Sequence, residues 1–308
     1  MEQTIYLING FLESGKTTFI KKFLDQEYFY TEGANLLIVC EEGDEVYEKS
    51  FCQSHNLIIK TLESEREFTV SNIKRMAMEI HPGRIIIEFN GMWDICHILN
   101  QWDFWQIFEI TILDAQVFEI YSRNLKSLMI NQIRNADMTV FRSCDGKENK
   151  LASYRRSIRA VNPRTNFVFK TENGAIMPRL DENLPYDMDH NLIVLPDADF
   201  GIFYIDVTEY VKRYVGKRVC FRGYIYKKKQ NMLLIGWPAM TCCMQDITVF
   251  AFICDTAEAE NFKTQQWVRT EGIIKEEYFE KVNTSIPVID VLWIEECPEP
   301  EEKIINRF

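Results

Sequence analysis

Short apolar runs rich in β-branched residues recur through the first half of the chain, and the stretches between them repeat their apolar positions at helical spacing. "TIYLI" (4–8), "NLLIVC" (35–40), "NLIIKTL" (56–62), "RIIIEF" (84–89), "FEITILDA" (108–115), "MTVFRS" (138–143) and "NFVFK" (166–170) read as buried strands. Among the helices, "KTTFIKKFL" places Phe19, Ile20, Phe23 and Leu24 on one face and lysines on the other. "TVSNIKRMAMEI" (69–80) opens on Thr69 and Ser71 as candidate caps, and "YSRNLKSLMINQIRNA" (121–136) aligns Leu125, Leu128, Met129 and Ile133. This alternation predicts an α/β fold, a mostly parallel sheet with helices on both faces.

The period changes in the second half. From about 174 to 201 the chain is rich in Pro, Asp and Asn, as loops and linkers are. Beyond it, "KRVCFRGYIY" (217–226), "ITVFAFIC" (247–254), "QWVRTEGIIK" (266–275) and "PVIDVLWIEE" (287–296) read as strands, with "VTEYVKRYV" (207–215) as a helix. These predict a small β-rich barrel or sandwich of OB type. The expected division is a nucleotide domain over 1–185, a linker over 186–200 and a β-rich domain over 201–308.

Composition narrows the classes. A length of 308 residues suits two domains, and a hydrophobic fraction of 46% can fill their cores. The net charge of −11 argues against a general nucleic-acid binder, whose surface must be basic. No run approaches the ~18 apolar residues of a membrane span, and no signal peptide is read at the start. Nine cysteines without such a signal imply reduced thiols and a cytoplasmic setting.

The candidate chemistry starts at "NGFLESGKTT". Gly10, Gly15, Lys16 and Thr17 satisfy G-x-x-x-x-G-K-[ST], between a predicted strand and a predicted helix, as a phosphate-binding loop requires. Its glycines let backbone N–H groups converge on an anion, and the helix that follows aims its positive end at the same place. Lys16 is expected to reach the β- and γ-phosphates and Thr17 to ligate Mg²⁺, with Glu13, Ser14 and Thr18 completing the loop. An acidic residue is needed at the end of a neighbouring strand. Glu88, in "IIIEFNG", and Glu41, in "LLIVCEEGDE", are the two candidates, with Glu42 beside the second.

Taken together, GFLESGKTT, CEEGDEVYE, IIIEFNG, ILDA and NQIRNAD resemble the CobW-type GTPases, relatives of the UreG and HypB metallochaperones, over about residues 4–170. The resemblance implies GTP binding and slow Mg²⁺-dependent hydrolysis, often coupled to delivery of zinc or cobalt. Gly10 to Thr17 match its phosphate loop, Glu41 its N-E-x-G glutamate, and Glu88 with Gly91 its E-x-x-G. Asp145 stands where the guanine-reading aspartate of N-K-x-D belongs, while Arg142 and Ser143 replace the Asn and Lys. Arg142 can still stack on the base through its planar guanidinium, so guanine preference is expected to be weak. The C-x-C-C metal motif of the family is replaced by "TLESEREF", whose Glu63 and Glu65 are hard ligands suited to Mg²⁺ or Ca²⁺.

The second half resembles the carboxy-terminal domain of YcgQ-type permease-subunit proteins, through "AMTCCMQDITVFAFIC" and the strands around it. Any soft metal is expected at Cys242 or Cys243, which an extended strand would aim to opposite faces. Cys220 and Cys254 read as core. His55, His81, His97 and His190 lack ligand spacing, Cys96 is assigned no metal, and Trp93, Trp102 and Trp105 read as core packing before a partner groove.

The expected function is therefore that of a CobW-like nucleotide-binding GTPase, with catalysis resting on Lys16, Glu41 and Glu88 and a permease or metalloprotein client as partner. Two other classes stay open. One is a nucleotide-dependent interaction module with negligible hydrolysis. The other is an ATP-using, kinase-like enzyme with Arg155, Arg156 and Arg159 as its acceptor-binding arginines.

Overall fold

The structure is a computed structural model that describes residues 4–41, 43–95, 102, 106–177, 184–241, 246–280 and 283–308, without the side chain of Tyr28. By internal contacts the chain divides into two units, Met1–Leu151 with Val161–Arg179, and Ala152–Ala160 with Leu180–Phe308.

In the first unit, β1 (Thr4–Asn9), β2 (Asn35–Val39), β3 (Leu57–Thr61), β4 (Arg84–Glu88), β5 (Gln106–Asp114), β6 (Met138–Arg142) and β7 (Asn166–Thr171) form one sheet. The order is β3-β2-β4-β1-β5-β6-β7, all parallel, and a short β8 (Gly174–Ile176) adds antiparallel to β7. The sheet is the predicted one, mostly parallel and of P-loop type. Its helices among the described residues include α1 (Lys16–Leu24), α2 (Lys49–Ser54), α3 (Val70–Ile80), α4 (Phe118–Asn124) and α5 (Lys126–Ile133). Ile20 and Leu24 of α1 pack on Ile8, Leu37 and Ile86, while Ile73 and Met76 of α3 pack on Leu7, Ile38 and Ile87. Alternate residues of each strand thus feed two apolar layers, which explains the unbroken apolar runs.

Two expectations change here. The single helix expected over 121–136 is two, broken at Leu125 (φ −126°, ψ 34°). Phe118 is buried from α4, and Met129, Ile130 and Ile133 from α5. Thr69, not Ser71, caps α3: its Oγ1 accepts the Asn72 amide at 3.2 Å.

The second unit contains β9 (Leu192–Val194), β10 (Arg218–Lys229), β11 (Met232–Met240), β12 (Ile247–Asp255), β13 (Trp267–Phe279) and β14 (Thr284–Glu296). The order β9-β10-β13-β14-β12-β11, with β11 pairing back to β10, closes a five-stranded barrel. Phe221, Ile235, Trp237, Phe252 and Ile289 are buried in its core. Strand β11 is absent from the sequence reading because Gly236 and Pro238 resemble turn residues. Gly236 is needed for close packing: a Cβ there would lie 2.0 Å from the Phe250 carbonyl oxygen. Pro238 accepts a hydrogen bond from the Ile305 amide, so its missing N–H also faces away from β12 and costs that pairing nothing.

The expected linker over 186–200 is likewise part of this unit. β9 pairs with β10, and Ile193, Leu195 and Phe200 are buried. The helix expected over 207–215 is α7 (Phe200–Glu209) followed by a 3₁₀ turn, Val211–Arg213, and α7 is buried on nearly every side, through Phe200, Ile202, Phe203, Ile205 and Val207. Helix α6 (Leu151–Val161) contributes its residues 152–160 to the second unit. There Arg155 and Arg159 each donate to Glu209 Oε1 at 2.6 Å. Those two arginines are held by an intramolecular carboxylate rather than offered to a phosphate acceptor.

Candidate nucleotide site

β1 delivers its chain end to the loop 10–15, and α1 leaves from it. Gly10 (φ 143°) and Gly15 (φ 88°) adopt backbone angles that disfavour any side chain. A Cβ at Gly10 would also lie 2.5 Å from the Ile112 carbonyl oxygen. The loop is tightened by the Ser14 amide on Phe11 O (3.1 Å) and anchored by the Gly10 amide on Asn9 Oδ1 (2.8 Å). The amides of Glu13, Gly15, Lys16 and Thr17, at the positive end of α1, make no backbone hydrogen bond among the described residues. The Ser14 hydroxyl is buried without a partner. Free donors gathered in this way form an anion cradle.

Lys16 is 4% exposed and donates to Gly10 O (2.8 Å), Phe11 O (2.9 Å) and Glu41 Oε2 (2.7 Å). Thr17 donates from its hydroxyl to Glu88 Oε1 at 2.6 Å, and Tyr47 donates to Glu88 Oε2, also at 2.6 Å. Burial pushes the Glu88 carboxyl up from its ordinary range, opposed by the hydrogen bonds from Thr17 and Tyr47 and by the charge of Lys16. Burial, reinforced by the charge of Glu88, pushes the Tyr47 phenol up as well, so it stays a donor at neutral pH. Glu45 accepts from the Thr18 hydroxyl, and Lys21 pairs with Glu45 (3.5 Å) and Glu48 (3.2 Å). Carboxylates from the segment after β2 therefore lie on the cationic and hydroxyl groups of the loop. The space left among Lys16, Thr17, Glu41, Glu45, Glu88 and Arg142 is about 130 Å³.

Gly91 sits directly on the loop: a Cβ there would be 2.3 Å from Gly10 O, and its carbonyl accepts from Gln132 Nε2 at 2.8 Å. Arg142, at the end of β6, leans toward the loop. It donates to Glu13 O (3.3 Å), pairs with Asp114 (3.2 Å), and lies where a Cβ on Gly15 would be. Asp145 is exposed, and its carboxylate accepts from the Glu172 amide (3.1 Å). Lys16, Thr17, Glu41, Glu88 and Arg142 thus converge, and Asp145 follows Arg142 on the turn after β6, where Gln116 Nε2 donates to the carbonyls of Ser143 (2.8 Å) and Asp145 (2.9 Å).

Tyr47 and Gln132 escaped the sequence reading. Tyr47 lies inside CEEGDEVYE, yet nothing in the residue string aims its hydroxyl at Glu88. Glu42, Cys96, His97, Trp105, Cys242 and Cys243 lie outside the described residues. Trp102 is buried and stacks on Phe68, with ring centroids 5.2 Å apart. His55 pairs with Asp25 and His190 with Asp187, while Glu65 accepts the Asp94 amide. Cys220 and Cys254 are buried. Among the described residues no three His, Cys, Asp or Glu side chains are grouped to hold a metal ion. No described helix is long and apolar enough to cross a membrane.

Residues 172–307 match the DUF1980 C-terminal domain. UPF0703 protein YcgQ of Bacillus subtilis (strain 168) is 22% identical over 118 residues, which are 37% of this chain and 41% of that protein, less than half its length. Among solved structures, the Zn(II)-bound YjiA GTPase from E. coli has a TM-score of 0.42 at 16% identity, covering 73% of this chain and 74% of its own. The hydrogenase maturation factor HypB from Archaeoglobus fulgidus has a TM-score of 0.40 at 12% identity, covering 56% and 82%. Residues 4–169, more than half of the chain, match the CobW/HypB/UreG nucleotide-binding domain, and the protein belongs to that family.

Proposed function

We propose that the protein binds GTP, with ATP as a weaker competitor, on the loop 10–17 and hydrolyses it slowly to time contact with a partner. The observation that carries this reading is the set of unbonded amides at Glu13, Gly15, Lys16 and Thr17 around a buried lysine. Thr17 and Glu88 would hold Mg²⁺: they are adjacent hard oxygen donors, and Tyr47 orients the far carboxylate oxygen. When bound, the ion supplies neutralisation of phosphate charge. Lys16 supplies a second positive charge from a fixed position, and the loop amides orient the phosphates without reorganisation.

Glu41 must leave Lys16 before a phosphate oxygen takes its place. Nucleotide entry therefore displaces the Glu41 side and the carboxylates that follow it. That coupling also favours the second reading, an interaction module whose output is this displacement rather than turnover. A metal-handling or transporter client, in the cytoplasm, is the partner proposed.

The test is binding and turnover of GTP and ATP side by side, with Mg²⁺, in wild type and Lys16→Ala. Loss of the buried charge-assisted contact is expected to weaken both nucleotides about 10- to 100-fold. Equal affinity in the two proteins would overturn the site. Binding with no turnover would select the module reading.

A further inference from the structure

The first unit has a second concavity, away from the phosphate loop. Along the sheet, the steps β1 to β2 and β2 to β3 run in one direction, whereas the later steps to β4, β5 and β6 run in the other. Right-handed crossovers therefore put α1 and α2 on one face and α3, α4 and α5 on the opposite one. On the α1 face, among the described residues, no helix of this unit lies over β5, β6 and β7.

What those strands show there is apolar. Ile110 and Val140 form a buried floor, with Phe108, Met138 and Val168 half-buried around it. Phe19 and Phe23 of α1 make one wall, and the ring of Tyr6 lies 5.2 Å from Phe23 and 6.1 Å from Phe108. The groove measures about 820 Å³, in the range of occupied ligand sites. β5 and β6 are hydrogen-bonded on both sides, so an added strand has no edge to use. Only side-chain packing on the face can fill the slot, which is the part a helix plays in a layered α/β sheet.

The rim selects the charge of the occupant. Lys22 on α1 and Lys170 on β7 border the groove, and neither has a carboxylate partner among the described residues. Asp25, also on the rim, is committed to His55 Nε2 at 3.0 Å. Lys170 Nζ lies over the Phe19 ring, 5.8 Å from its centroid, and in a chain with 46 acidic and 35 basic residues two lysines without a described carboxylate partner on an apolar groove are a local inversion of charge.

We infer that this groove docks an amphipathic helix of a partner protein, its apolar stripe on Phe108, Met138 and Val168 and its carboxylates facing Lys22 and Lys170. The groove is formed by the sheet face, α1 and the two rim lysines, and its occupancy does not require the nucleotide reading.

The probes are two synthetic helical peptides sharing one leucine stripe, flanked by glutamates in one and lysines in the other. Each is titrated into the full chain and followed by fluorescence anisotropy. The Glu-flanked peptide is expected to bind about 10-fold more tightly than its Lys-flanked twin, and Lys22→Glu/Lys170→Glu to reverse that order. Both substitutions are at the rim, away from the buried floor. No preference in wild type, or the same preference in the double variant, would overturn the inference. A concentration-dependent dimer in sedimentation that the double variant abolishes would also overturn it, by giving the slot to a second copy of the chain.

Discussion

Glu109 sits within β5 with its side chain buried beside Asn9 and Asp137, at the foot of the phosphate loop. Burial, then the charge of Asp137, raises its carboxyl to about 8, against the opposing Asn9 amide. An unfolded chain releases that proton near pH ~4.3. Between the two values the folded state binds more protons, so the contribution is complete below ~4.3 and is lost as pH rises through about 8. Stability is expected to fall by up to about 1.4 kcal/mol per pH unit across this window and to level off above it. Glu109→Gln keeps the shape without the charge and should remove the slope, measured as urea midpoints over the same range. An unchanged slope in the variant would place the titration elsewhere. Nothing in "FEITILDA" announces this: Glu109 reads there as one polar position in an apolar strand. Lys16 and Thr17, in contrast, are legible from their motif, because a phosphate cradle needs those residue types at fixed local spacing.

At the level of elements, the site is an agreement between strand ends. β1 leads to the loop, β4 ends in Glu88 and leads to Gly91, β2 leads to Glu41, and β6 ends in Arg142. The contact of Gly91 with Gly10 O leaves no room for a methyl group, and the obstacle is backbone rather than a side-chain tip. Gly91→Ala should therefore lift the segment after β4 from the loop and strain the Gln132 contact. A loss of stability of about 1–3 kcal/mol is expected, as for overpacking, together with weaker nucleotide binding. Calorimetry and denaturation on the same variant test this, and wild-type values in both would show that the two segments separate freely. The sequence placed most strand cores because apolar runs of this length mark buried parallel strands. It missed β11, whose glycine and proline look like a turn until the Phe250 carbonyl and the Ile305 amide are in place.

For the whole molecule, the metal question joins the two units. The stretch "SEREF" carries no thiolate, and Cys242 and Cys243 are the remaining soft pair proposed. Protein purified without chelator should hold no stoichiometric zinc that survives Cys242→Ser/Cys243→Ser, as read by elemental analysis. Surviving zinc would point to another ligand set. The sequence by itself determined the two-part organisation, the parallel sheet, the phosphate loop and the acidic strand ends, since all of these follow from local period and spacing. Only the tertiary structure decided that Glu41 lies on Lys16, that Tyr47 holds Glu88, that Arg142 turns to the loop, and that β5 to β7 carry an apolar face with no described helix of their own unit over it. Each joins residues far apart in the chain, and side-chain direction across such distances is set by packing and crossover handedness, which no local pattern encodes.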